Sequence, residues 1–429
     1  MFNGKKIIAL LVALALLSGF AVQTTKAQDT VTLEWWTVDS EEYSEAVQRA
    51  MAQQFEAENP NIKVNVTVLP ESGFTDKMTT TLGAGQGAPD IAFFWDNNWF
   101  PQALDLTPYL SADSVTADTY IKGFWDTRAV WQGKVVGLPL GVGANFVMYN
   151  KDLFDAAGLA YPTADWTTDD YNAMAAKLTN PDKKIWGGDR PRGPFRAIWN
   201  NYGAFPYSPD SMTVEGYLNS PESVAAYTWL WDLVNSGATP TPADLEVLSK
   251  EGTGPIDLFL ANRLAMATLN QGHMLNALKE GVNFGIVPEP KAPGADRYVN
   301  AWSLTVSIWK GSQHPDEAWK FLSYWAGPKG QKYLMDNGNL IPSIQPVLDE
   351  FKDAKTDAAQ SFFGVLGLRQ VAEWDNAHPC KSTVLRAAKD AWDLVNLGSI
   401  KRDEIKAKLD ELVAPSQAAL DECRGRLGG

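Results

Sequence analysis

Residues 31–69, VTLEWWTVDSEEYSEAVQRAMAQQFEAENPNIKVNVTVL, decide the fold. Val31 to Thr37 is a β-branched and aromatic run of the length a buried strand needs. Val47, Ala50, Met51 and Phe55 then recur at the spacing of one helical face, and Asn59-Pro60 ends that helix. Ile62, Val64, Val66 and Val68 alternate with polar residues, as a second strand does. The rhythm continues through another helical stretch to the turn Gly83-Ala84-Gly85-Gln86-Gly87 and a strand over Ile91 to Phe94. The glycines do not match a dinucleotide loop, because the spacing is not GxGxxG and they precede a strand instead of following one. A strand-helix-strand order of this kind predicts an α/β fold, with a parallel or mixed sheet and helices on both faces.

Further along, Lys151 to Gly158 reads as a short helix with a glycine stop. Ser220-Pro221-Glu222 opens another with a cap, a first-turn proline and an early acid, and Val224, Tyr227, Trp231 and Val234 form its apolar face. Ile256 to Arg263 reads as a helix, and Leu264 to Leu269 and Phe284 to Val287 as strands. Pro315 to Ala326 is a helix with Trp319, Leu322 and Trp325 inward, stopped by Gly327-Pro328. With 429 residues, 45% hydrophobic and 17 tryptophans, the chain is long and apolar enough for two domains. No repeat and no low-complexity linker separates them, so two lobes would share interleaved chain.

The start, MFNGKKIIALLVALALLSGFAVQTTKA, places Lys5 and Lys6 before an apolar run from Ile7 to Leu17 and ends in small and polar residues, the layout of a cleaved export signal over 1–27. A membrane anchor is the competing reading, but the run is short for a roughly 20-residue span. Leu17-Ser18-Gly19 is followed by Phe20 where a lipid-anchored protein would need cysteine, so no lipobox is expected. Removing 1–27 takes three lysines and no acid, which moves the formal charge from −14 to −17. That surface argues against nucleic acid or anionic membrane as partner. Cys380 and Cys423 are the only cysteines. In an exported protein they most simply pair, closing a loop worth roughly 3 to 4 kcal/mol in the chain-entropy model, with two separate buried thiols as the alternative.

Five blocks, in order, resemble one family: APDIAFFW (88–95), GKVVGLPLGVGANFVMYNKDLFDAAGL (133–159), FLANRLAMATLNQGH (259–273), FGIVPEPKAPG (284–294) and SQHPDEAWKFLSYWAGPKGQKYL (312–334). They are similar to segments of the extracellular solute-binding proteins of ABC sugar importers, the group that includes maltose-binding protein. The resemblance implies a periplasmic-binding-protein fold of two lobes joined by a multi-crossing hinge, with crossings near Gly141–Ala144, Val299–Trp302 and Leu340–Ile344. Lobe one would comprise 28–141 plus 300–341, and lobe two 142–299 plus 342–429. Gly141 and Gly143 suit a hinge, or serve only as turn glycines.

A sugar presents an apolar ring face and a rim of hydroxyls, so its sites need flat aromatic rings beside carboxylates and amides. FFWDNNWF (93–100) supplies both at the end of a strand, where ligands of such sheets bind. Phe93 and Phe94 read as core, and Trp95, Asp96 and Trp99 as binding residues, against a capping aspartate and rings folded onto a helix. Asp39, Ser40 and Glu41 follow the first strand, either as hydroxyl contacts or as the next helix's cap. The resemblance adds Asn145, His273 (where many relatives have tryptophan), Trp302 and Arg369. Gly143 stands where maltose-binding protein has a ligand-contacting acid, so that contact does not carry over. Arg190 and Arg192, with Arg196, lie in GGDRPRGPFR (187–196) and offer a fork for an acidic or phosphorylated sugar, or neutralise nearby acids.

Catalysis has little support. Only His273, His314 and His378 are present, and there is no HExxH, GxSxG, Cys-His cluster or P-loop. The resemblance implies instead a monomeric, cofactor-free and metal-free receptor that binds a carbohydrate, a di- or oligosaccharide, and delivers it to ABC transporter permease subunits from a periplasmic or extracellular location. The rivals are a receptor for a charged solute (a sugar acid, glycerol phosphate ester or polyamine) and a secreted glycoside hydrolase using two of the many acids.

Overall fold

The computed structural model describes residues 30–40, 44–95, 97–113, 116–121, 123–191, 197–248, 254–338, 340–351, 356–368 and 380–426. The export-signal segment 1–27 lies outside them. Among the described residues no helix is long and apolar enough to cross a membrane.

The strands are β1 (Val31–Val38), β2 (Ile62–Leu69), β3 (Ile91–Phe93), the short pair β4 (Val130–Trp131) and β5 (Lys134–Val135), β6 (Leu138–Asn150), β7 (Met266–Asn270), β8 (Phe284–Val287) and β9 (Ala301–Ile308). One mixed sheet runs in the order β2-β1-β3-β9-β6-β7, with β8 also paired to β6. β1 is parallel to β2 and β3, as the strand-helix-strand rhythm requires. β9 is antiparallel to β3 and to β6. Its first residues therefore lie at the same edge of the sheet as the carboxyl ends of β1 and β3.

The opening stretch forms β1, the helix Glu45–Glu58 and β2. The buried face of that helix is Gln48, Met51, Ala52 and Phe55, so Ala52 stands where periodicity alone favoured Ala50. A polar residue accounts for the shift. Gln48 is buried because its side-chain amide donates to Val38 O (2.7 Å) and its Oε1 accepts from the Thr37 hydroxyl, tying the helix to the last residues of β1. On the helix Pro221–Asn235, Ser220 caps the first turn and Tyr227 and Val234 are buried. Trp229, Leu230 and Leu233 are buried with them, while Val224 and Trp231 are half-buried.

β6 organises the rest. Its thirteen residues are all buried. Leu138–Leu140 pair with Val306–Leu304, a register shift falls between Leu140 and Gly143, and Gly143 and Ala144 pair with Trp302 and Ala301. Asn145–Tyr149 then pair with β7, and Val147–Asn150 with β8. Buried side chains up to Leu140 belong to a core shared with Trp35, Phe55, Phe74, Phe93, Trp325 and Leu340. Beyond it, alternate residues serve two cores, as the two-residue period of a strand dictates. Ala144, Phe146 and Met148 pack with Phe259, Phe284 and Phe362, whereas Val147 and Tyr149 pack with Phe154, Tyr227 and Trp392.

Cys380 and Cys423 are disulfide-bonded. The bond is buried in the Tyr227–Trp392 core and joins the start of the helix Lys381–Asn396 to the end of the helix Ile405–Arg426. Free of that link, the unfolded chain would gain loop entropy worth about 3 to 4 kcal/mol.

Candidate functional site

The backbone at the register shift of β6 is shaped for close approach. Gly141 has φ +64°, and a Cβ there would lie 2.3 Å from Leu340 Cδ1. A Cβ on Gly143 would lie 2.5 Å from Trp302 Cε2 and 2.6 Å from Gln271 Oε1. Two glycines thus let three distant parts of the chain meet. The Val142 N–H donates to Ile341 O (2.8 Å), and the Ala144 N–H donates to Gln271 Oε1 (3.3 Å).

A cleft of about 310 Å³ opens at this junction. Val38 and Ser40 line it from the end of β1, Glu71 from the start of the helix Glu71–Ala84, and Trp95 from just past β3. Leu140, Gly141 and Val142 of β6 and Trp302 and Leu304 of β9 form its centre, completed by Leu340, Ile341, Asn270 and Gln271. Its volume is at the small end of the roughly 300–1,000 Å³ usual for ligand pockets. Among the described residues, no lysine, arginine or histidine lines it, and Glu71 is the one carboxylate.

Trp95 is half-buried and firmly held. Its Nε1–H donates to Thr75 Oγ1 (3.2 Å), its ring lies 4.6 Å from that of Phe74, and it stacks on Phe93 at 5.9 Å and 16°. Trp302, also half-buried, faces Gly143 across the β6–β9 ladder. Two indoles therefore contribute to the cleft, one from the wall beside the helix Glu71–Ala84 and one from the junction. Ser40 and Glu71 supply a hydroxyl and a carboxylate, and Asn270 and Gln271 line the cleft with amides whose oxygens already accept the His273 and Ala144 N–H groups. The combination suits a ligand with a flat apolar face and a hydroxylated rim.

Four of the residues expected at the site are placed elsewhere. Trp99 is 3% exposed. Its Nε1–H donates to Thr79 Oγ1 (3.0 Å) and its ring packs on Phe74 and Phe94, so it is core, folded against the preceding helix. Asp39 accepts the Glu45 N–H (2.8 Å), satisfying the first backbone donor of the helix Glu45–Glu58, whose N-cap position is Ser44. Asn145 is buried within β6, accepting from Asn300 Nδ2 (3.0 Å), and ties β6 to the segment just before β9. His273 occupies the third position of the helix Gln271–Lys279, where its Nδ1 accepts the Asn270 N–H (3.4 Å) in a capping box.

Arg190 is likewise used by the fold. Its guanidinium donates to Pro240 O (2.7 Å), Val234 O (3.3 Å) and Asn396 O, the last two being carbonyls at the ends of the helices Pro221–Asn235 and Lys381–Asn396. A cation is favoured at helix C-termini, where carbonyls lack intrahelical partners. Burial pulls its pKa down from the ordinary value, opposed by Asp244. Glu41, Asp96, Arg192, Arg196 and Arg369 lie outside the described residues.

Sequence reading missed Glu71, Asn270, Gln271, Leu340 and Ile341. Glu71 was findable: it follows the carboxyl end of β2, two residues past Leu69, by the same rule that selected Trp95. Gln271 sits two positions before the histidine chosen instead. Leu340 and Ile341 carry no polar signature and were expected only as part of a chain crossing, not as lining of the cleft.

Residues 38–332 match the family model of the bacterial extracellular solute-binding proteins. The match covers well over half of the chain, which belongs to that family. An arabinooligosaccharide-binding protein of Bacillus subtilis is 26% identical over 350 residues, covering 76% of this chain and 77% of its own. An erythritol/L-threitol-binding protein of Mycolicibacterium smegmatis is 25% identical over 350 residues, covering 72% and 71%. Among solved structures, an ABC substrate-binding protein from Listeria monocytogenes in complex with cycloalternan superposes with a TM-score of 0.75 at 25% identity, over 92% of this chain and all of that one. The fold is the two-lobed α/β fold of such solute-binding proteins.

Proposed function

We propose that this protein is a carbohydrate receptor of an ABC importer, binding a neutral di- or oligosaccharide in the cleft between two lobes. The observation that carries the reading is the pairing of Trp95 and Trp302 with Ser40, Glu71, Asn270 and Gln271 around one cleft at the chain crossings. The named ligands of the relatives, arabinooligosaccharides, erythritol or threitol, and cycloalternan, are all neutral polyhydroxyl compounds and support it. The cleft volume puts the ligand at the short end of the range. Lobe one is taken as 28–141 plus 300–341, and lobe two as 142–299 plus 342–429. Closure of the lobes about Gly141–Ala144 engages the ligand from both sides, and the closed form docks on the membrane permease subunits. The chain works as a monomer outside the cytoplasm after removal of 1–27, without cofactor, nucleic acid or catalysis.

Against a charged solute stands the use of Arg190 by helix carbonyls and the absence of a cation among the described lining residues. Against a glycoside hydrolase stands the single carboxylate among them, since that chemistry needs two. The test is a thermal-shift screen of residues 28–429 against neutral saccharides and polyols, sugar acids, sugar phosphates and polyamines. A ligand at 100 times its dissociation constant stabilises by about 2.7 kcal/mol, which a melting curve resolves. Neutral saccharides should raise the transition. A shift with only acids, phosphates or polyamines overturns the neutral reading, and release of nitrophenol from nitrophenyl glycosides overturns the non-catalytic one.

A further inference from the structure

The geometry points to Glu71 as a specificity-determining residue: with Trp95 it forms one subsite on the wall of the cleft, a carboxylate that accepts ring hydroxyls beside an indole that carries the ring face. This rests on the carbohydrate reading above and adds the residue that sets the ligand's charge and its hydroxyl contacts on that wall.

Three observations carry it. Glu71 lines the cleft together with Trp95. Its side chain is exposed and makes no hydrogen bond or ion pair with any described residue, so the carboxylate is available to a ligand. The same helix that begins with Glu71 fixes Trp95 one turn later, through Phe74 against its ring and Thr75 on its Nε1–H. Platform and acceptor thus belong to one helix and its packing, which sets the Glu71 backbone beside the Trp95 ring.

Elementary chemistry completes the assignment. A carboxylate accepts two hydroxyl hydrogens and donates none, so it suits adjacent hydroxyls of a ring lying on an indole. With no cation among the described lining residues to offset it, the Glu71 carboxylate presents a like charge to a ligand carboxylate or phosphate at this wall, which disfavours it. Glu71 therefore acts twice, as an attractive contact for neutral sugars and as a repulsive one for acidic sugars.

Isothermal titration of the 28–429 chain with maltose, mannobiose, arabinobiose and raffinose, each beside an acidic counterpart bearing a uronic acid, tests this. For the neutral probe that binds wild type most tightly, Glu71→Gln should weaken affinity at least tenfold, while the unfolding midpoint of the free protein moves by no more than a few degrees. Glu71→Asp, which keeps the charge, should recover part of the loss, and Glu71→Gln should narrow the gap between neutral and acidic probes. A Glu71→Gln affinity within twofold of wild type, or an unchanged neutral-to-acidic ratio, overturns the inference while leaving the carbohydrate reading intact. Failure of wild type to bind any saccharide overturns both.

Discussion

Two stretches of this chain are compositionally out of place: the aromatic loop FFWDNNWF at 93–100, and the arginine-bearing GGDRPRGPFR at 187–196 in a strongly acidic protein. Both look like ligand-binding segments, and the described parts of the two come to opposite ends. The first delivers Trp95 to the cleft, whereas in the second Arg190 is consumed by three backbone carbonyls. The difference lies in the surroundings. Trp95 sits past the open end of a sheet strand, and Arg190 sits where two helices end and leave acceptors unsatisfied. The same contrast recurs inside the first stretch, where Trp95 and Trp99 both rest on Phe74 yet only one reaches the cleft. Residue type alone does not separate the two; the place the fold gives each side chain does.

This comparison can be broken by substitution. The largest expected effect is that of Trp99→Ala, which should cost about 4 kcal/mol of stability as a core truncation. Chemical denaturation would measure it, and titration of the folded protein with its sugar should give a dissociation constant within about twofold of wild type. A large loss of affinity at unchanged stability would return Trp99 to the site. Arg190→Met comes next. It should cost roughly 2 to 3 kcal/mol, because it strips the charged donor from three carbonyls, and should leave sugar affinity unaltered. If instead a sugar phosphate bound the wild type and not this variant, the contrast between the two stretches would fall.

Smaller effects sharpen the picture. Trp302→Ala should weaken binding of the best neutral saccharide roughly tenfold, or about 1.4 kcal/mol, with little change in melting temperature. Calorimetry decides this, and an unchanged affinity would remove the second platform. The smallest effect belongs to His273→Ala, for which titration should show affinity within about twofold of wild type. A tenfold loss there would mean that the helix cap also serves the ligand.

Much of the fold was legible because it rests on local periodicity. β1, β2, β3 and β8 fall where alternation or β-branched runs placed them, and the helix Pro315–Trp325 buries the Trp319, Leu322 and Trp325 expected of it. The helix Glu45–Glu58 shows where periodicity stops, since a glutamine bonded to β1 took a place on the buried face. The site was less legible. Trp95 and Ser40 line the cleft as their positions at strand ends suggest, and Trp302 as the resemblance implies, but Asp39 and His273 bond to backbone N–H groups at helix starts within six residues of themselves. Composition reports what a side chain can do and not whether a neighbouring amide has already claimed it.

By itself the sequence determined the class of fold, the parallel pairing of its first strands and the cysteine pair that is joined. Each of these depends on spacing along the chain or on residue type. Only the tertiary structure decided which residues face a common cleft. β9 inserts antiparallel between β3 and β6, and Leu340–Ile341 close on Gly141. The partners Gly141 to Leu340, Gly143 to Trp302 and Ala144 to Gln271 are separated by more than a hundred residues. Their meeting is set by packing and hydrogen bonds between segments far apart in the chain, which no local pattern encodes.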